Sequence, residues 1–273
     1  DSLAFQRILA DDIVDALFSE RTLDANGFLS YTVSSNYHRS QNTIRVLLPG
    51  DYDASHEYPV VYVLPVEPGA ARQFGDGLTT VRSLGLQNSK DAIFVAPTFT
   101  NMPWYADNVN DSSIWQETYF RTVVVPFVES QYSVVPGPDG RLLLGFSKSG
   151  YGTVSMLLRF PETFGRAVAW DSPIGMTDPS TGYGFLDILG SRANFSNNYQ
   201  ISSLLVNRGS ALLNQPARIF LLGYSYDFTF QDHRKIDALM TQLGIPHFYD
   251  PGVYRAHHWN SGWVGDAVNR LLG

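Results

Sequence analysis

Apolar residues in this chain fall into short, nearly continuous runs, separated by stretches where they recur every three or four positions. Residues 58–64 (YPVVYVL), 92–96 (AIFVA), 142–145, 165–170 and 217–222 (ARIFLL) are runs of the first kind. A strand covered on both faces has no polar side to show, so these runs predict the buried middle of a parallel sheet. Residues 28–34 and 43–48 predict an earlier pair of strands, the second ending at Pro49-Gly50-Asp51-Tyr52, and a last short strand is predicted near 246–249. Helical periodicity covers 113–131, 151–159, 230–243 and 263–272, and a short amphipathic helix is predicted around IVDALF, within residues 3–23. Strands separated by helices predict the α/β class, with a mostly parallel central sheet, helices on both faces, and a single domain over residues 1–273. Residues 171–214 break the rhythm. They open on DSPIGMTDPSTGYGF and carry a helical patch at 203–213, an excursion expected to act as a lid or cap.

Composition narrows the function. The net charge of −7 arises from only 16% charged residues, without the basic run that a nucleic-acid groove or anionic membrane surface calls for. No apolar stretch is long enough for a spanning helix, so membrane insertion is not expected. Cysteine is absent, which excludes thiol nucleophiles, cysteine metal sites and disulfides. Aromatic residues (14%) beside many Asn, Ser and Gly suit an exported enzyme acting on large or sugar-bearing substrates. With a first residue Asp1, this gives an expectation of a secreted or periplasmic protein. Nothing in the sequence fixes an oligomeric state.

The chemistry centres on RLLLGFSKSG at 141–150, an apolar strand that runs into a turn of small residues and then into a helix. Ser147 is the candidate nucleophile. Gly145, Ser149 and Gly150 keep the neighbouring backbones apart, and the first N–H groups of the helix face whatever bonds to the hydroxyl. A serine hydroxyl needs a base, and the base needs an orienting acid. Asp227 follows the strand ARIFLL and is the preferred acid, with Asp232 as the alternative already carried into the next helix. His257 and His258 both lie in the loop after the last strand, and their positions alone barely separate them.

At these residues the chain resembles the esterase D-like branch of the α/β-hydrolases, a group with formylglutathione hydrolases, feruloyl and other carbohydrate esterases and mycolyl transferases. The likeness spans most of 28–272 and rests on LLPGDY, the elbow around Ser147, GYSYDFTFQDHRKIDALMTQLGI and Ala256-His257-His258-Trp259. It implies an α/β-hydrolase fold, a serine carboxylic-ester hydrolase without metal or redox cofactor, a triad of Ser147, Asp227 and His257, and a small-molecule or polysaccharide-linked ester as substrate. An acyltransferase would use the same residues, and a noncatalytic carbohydrate- or protein-binding homologue is the competing reading. Two departures favour that competitor: Ser149 replaces the last glycine of G-x-S-x-G, and the usual His-Gly after the third strand reads Leu64-Pro65-Val66-Glu67. The oxyanion donors expected from the resemblance are the N–H of Lys148 and that of Val66 or Glu67, because proline has none. Trp104, Tyr105, Trp170 and Trp259 occupy loop positions expected to border the substrate.

Overall fold

In the computed structural model, which describes residues 5–6 and 16–273, the strands join into one eleven-stranded sheet. They are β1 (Phe5–Gln6), β2 (Ala16–Ser19), β3 (Thr22–Leu23), β4 (Leu29–Ser35), β5 (Asn42–Leu47), β6 (Val60–Val63), β7 (Ile93–Pro97), β8 (Arg141–Phe146), β9 (Arg166–Trp170), β10 (Ile219–Leu222) and β11 (His247–Asp250). The order is β1-β2-β4-β5-β7-β6-β8-β9-β10-β11, with β3 beside β4. Pairings are antiparallel from β1 to the β5–β7 contact and parallel from β7 through β11. Of the predicted IVDALF helix, residues 13–15 lie outside the described residues, and the rest is the strand β2. Ala16 and Phe18 alternate with exposed Leu17, so its apolar period fits a strand covered on one face.

The two faces of the sheet feed two separate cores. Tyr62, Ile93, Val95, Leu143, Ala167, Ala169 and Leu221 point to one face, under the helices Val125–Gln131 and Ser147–Arg159. Val61, Val63, Phe94, Leu142, Leu144, Phe146, Val168 and Trp170 point to the other, under Gly77–Ser83 and Trp263–Leu272. Alternation along doubly covered strands explains why their sequences show no polar period. The predicted 113–131 helix is one continuous rod, Gln116–Tyr119 leading through a π turn at Phe120–Val124 into Val125–Gln131. Pro126 can donate no helical hydrogen bond, and a widened turn ahead of it accommodates that loss.

Register decides where chemistry can gather. β8 and β9 are paired so that Phe146 faces Trp170, and the next residues, Ser147 and Asp171, leave the sheet side by side at its carboxyl edge. The helix after β10 begins at Asp227, three residues before the periodicity predicts.

Candidate active site

Ser147 is the first residue of its helix and has φ 53°, a left-handed conformation that is uncommon for a residue with a side chain. The turn closes only with small neighbours. A Cβ on Gly145 would lie 2.6 Å from the Ser149 carbonyl, and one on Gly150 would lie 1.9 Å from Ser172 Oγ. Ser149 fits because its hydroxyl does structural work. It donates to the Phe146 carbonyl at 2.8 Å and accepts from the Phe146 N–H at 3.1 Å, satisfying both polar groups of the last strand residue.

His257 Nε2 lies 3.1 Å from Ser147 Oγ, and its Nδ1 hydrogen-bonds Asp171 Oδ2. The other Asp171 oxygen accepts from the Ser225 N–H at 2.8 Å and from the Thr229 hydroxyl at 2.6 Å. Burial acts to raise the Asp171 carboxyl, but the hydrogen bonds from His257, Ser225 and Thr229 outweigh it and hold the group below its ordinary value. Asp171 is itself left-handed, with φ 46°, and is buried. The His257 ring is held edge-on by Phe74 and Phe146, with centroids at 5.1 and 5.0 Å, and is flanked by Tyr226 at 5.1 Å.

The acid expected from the sequence is therefore corrected. Asp227 opens the helix Asp227–Leu243, exposed, and Asp171 occupies the place beside His257. The helix claims Asp227 for its first turn, where a carboxylate suits the macrodipole. Asp232 packs on Gly175 and does not reach the imidazole. The structure brings His257 to Ser147, while the His258 ring covers Gly75 and accepts from the Asn260 N–H at 3.2 Å.

The cleft above Ser147 has a volume of about 660 Å³. Among the four aromatics expected at its edge, Trp104 lines it; Tyr105, Trp170 and Trp259 do not. Trp170 and Trp259 lie in the core opposite the Ser147 helix, packed on Phe146 and each other. Tyr105 is fully buried, with φ 57°, and its ring fills the space left by Gly152 of the Ser147 helix. Its hydroxyl donates to the Pro65 carbonyl at 2.6 Å, while its own carbonyl accepts from Arg159 at 3.0 Å. Tyr105 thus braces residue 65 against the helix that carries Ser147. The aromatic lining comes instead from Phe74, Trp104, Tyr183, Tyr226 and Phe228, four of which the sequence reading missed. Trp104 also stacks on Phe185 at 4.4 Å and donates its indole N–H to the Tyr183 carbonyl at 3.2 Å, tying it to the 171–214 segment.

Glu67 lines the cleft, but its carboxylate is turned onto its own loop, accepting from the N–H groups of Gln73 at 2.9 Å and Phe74 at 3.0 Å. Val66 is buried in the core beside the loop, and Lys148 follows Ser147 at the second position of the helix.

Sheet order, elbow and the placement of Ser147, Asp171 and His257 at the carboxyl ends of parallel strands define an α/β-hydrolase fold. The chain belongs to the esterase family described as putative esterase, whose family model matches residues 35–181. Two esterases from strains of Mycobacterium tuberculosis are each 28% identical over 140 residues, covering 49% of this chain and 29% of theirs. The matched stretch is thus under a third of the length of those relatives. A solved ferulic acid esterase superposes with a TM-score of 0.67 at 20% identity, covering 89% of this chain and 96% of that one. S-formylglutathione hydrolase from Staphylococcus aureus superposes at 0.69 with 15% identity, covering 90% and 98%. At such identities the likeness to these structures concerns the fold.

Proposed function

We propose that this protein is a serine carboxylic-ester hydrolase that works through an acyl-enzyme. The observation that carries the reading is the hydrogen-bonded series Ser147–His257–Asp171 on the floor of an aromatic-lined cleft. Ser147 Oγ bonds to the acyl carbon as its proton passes to His257 Nε2. The ester C–O bond then breaks, and His257 gives that proton to the departing alcohol. Water enters, loses a proton to His257 and attacks the acyl carbon; the bond to Oγ breaks, the acid leaves, and Oγ recovers its proton. Asp171 keeps a proton on Nδ1, which leaves Nε2 free to act as the base. The N–H of Lys148 and that of Val66 or Glu67 hold the oxyanion, with Pro65 fixed through Tyr105.

Both departures that favoured a noncatalytic binder have structural accounts. Ser149 braces the strand end, and Glu67 is occupied by Gln73 and Phe74. Tyr183, Tyr226 and Phe228 are solvent-exposed at the rim, an open mouth that admits water and favours hydrolysis over acyl transfer. Their rings favour an aromatic or carbohydrate-linked ester over a long-chain triglyceride, since flat apolar faces stack on phenolic and sugar rings.

Fluorophosphonate treatment followed by mass spectrometry is expected to place one adduct on Ser147, and Ser147→Ala is expected to be unlabelled and inactive. Ester cleavage by a wild-type protein that takes no label would overturn the reading. Rates across phenolic-sugar esters, acetylated sugars, short acyl esters and triglycerides would set the substrate class.

A further inference from the structure

We infer that the cleft selects esters carrying a carboxylate, which the Lys148 ammonium binds beside the scissile bond. This rests on the hydrolase reading of the same site and deepens it. Lys148 is the one lysine or arginine among the described residues that line the cleft. It is 9% exposed, and its Nζ lies 4.7 Å from the centre of the Tyr183 ring. Among the described residues it has no acidic partner within 4.0 Å and no side-chain hydrogen bond.

The two acidic groups that share the cleft do not fill that role. Asp171 holds His257, Ser225 and Thr229, and both oxygens of Glu67 are taken by backbone N–H groups. An ammonium partly withdrawn from water without a counter-ion is unfavourable, and a face-on tyrosine compensates only in part. Burial pulls the Lys148 ammonium below its ordinary range while Glu67 acts in the opposite sense, as expected for a charge short of solvent and of an ion pair. A carboxylate delivered by the substrate supplies both the counter-charge and a hydrogen-bond acceptor. Because Lys148 and Ser147 line the same cleft, this contact fixes the ester's orientation over Ser147.

Two pairs of esters, each an anion against its neutral methyl ester, test the inference and report which side of the bond carries the carboxylate. Mono-4-nitrophenyl adipate against its methyl ester places the charge on the acyl side. 4-Acetoxybenzoate against methyl 4-acetoxybenzoate places it on the leaving group. In at least one pair, kcat/KM is expected to favour the anion by about tenfold to a hundredfold, the range of one charge-assisted hydrogen bond, chiefly through KM. Lys148→Met should bring the ratio close to one, Lys148→Arg should keep most of it, and about 0.5 M salt should shrink it in the wild type. No preference in either wild-type pair, or a ratio that Lys148→Met leaves unchanged, overturns the inference. Cleavage of the neutral esters that disappears in Ser147→Ala reports separately on the hydrolase reading. Calorimetry on Ser147→Ala with adipate and its dimethyl ester, and with 4-hydroxybenzoate and its methyl ester, repeats the comparison without turnover. Equal binding within both pairs there also overturns the inference.

Discussion

Replacing Asp171 with asparagine tests the site at the point where sequence and structure part. Asp171 Oδ1 faces two donors, the Ser225 N–H and the Thr229 hydroxyl. An asparagine in the same pocket therefore keeps its carbonyl oxygen on that side and turns its NH2 toward His257 Nδ1. Nδ1 must then accept, the ring proton moves to Nε2, and Nε2, 3.1 Å from Ser147 Oγ, becomes a donor where a base is needed. A wrong tautomer of this kind costs about 10⁴-fold in turnover, or about 5 kcal/mol at the transition state. The assay is steady-state cleavage of 4-nitrophenyl acetate at pH 8, normalised by active-site titration, with Asp227→Asn measured in parallel. Asp171→Asn is expected to fall by that amount while melting as a folded protein, and Asp227→Asn to stay within roughly twofold, since its side chain is exposed. Retention of more than roughly a tenth of activity by Asp171→Asn would refute the tautomer argument.

Tyr105→Phe removes the 2.6 Å bond to the Pro65 carbonyl but keeps the ring against Gly152. It is expected to lower kcat about tenfold with little change in KM, because the loosened segment acts on the transition state, and to cost about 1 kcal/mol of stability; kinetics and thermal melts check both. His38 is packed between Phe99 and Tyr119, with neither ring nitrogen hydrogen-bonded among the described residues, and burial pushes it down to about 4. The unfolded chain then binds more protons than the folded one from about pH 6.5 to 4. Stability is complete above that window and is lost as pH falls through it, by up to about 3 kcal/mol. His38→Phe should flatten the acid-side fall of Tm, though not abolish it, since buried His233 is also held at about 4.

The central strands were legible because both of their faces are buried, and such strands announce themselves as apolar runs. The elbow was legible for a different reason: only small residues fit around a left-handed Ser147, and the chain supplies them at 145, 149 and 150. The carboxylate beside His257 was not, because periodicity marks the body of a helix and not its first turn, which here begins at Asp227. Asp171 carried a signal of its own, a carboxylate directly after an apolar strand that pairs with the strand leading into Ser147. Reading that signal needs the register, which is a long-range property. Trp170 illustrates the same limit. Its strand alternates, so it shares the face of Val168 and turns into the core, whereas aromatic content alone cannot say which side of a sheet a ring occupies.

The pairing of β8 with β9 also divides the site into a fixed part and a detachable one. Ser147 and Asp171 each follow a strand end within a single ladder, so their separation changes only if the middle of the sheet comes apart. His257 arrives on a long loop whose approach includes exposed Val253 and Tyr254, and which is tied down by the bonds from the Arg255 N–H to the Tyr224 carbonyl at 3.3 Å and from the Trp259 N–H to the Phe74 carbonyl at 2.9 Å. Local opening of that loop withdraws the imidazole and leaves the other two groups in place. Warming is therefore expected to part His257 from Ser147 while the sheet beneath is still whole, and cooling to restore the contact without refolding.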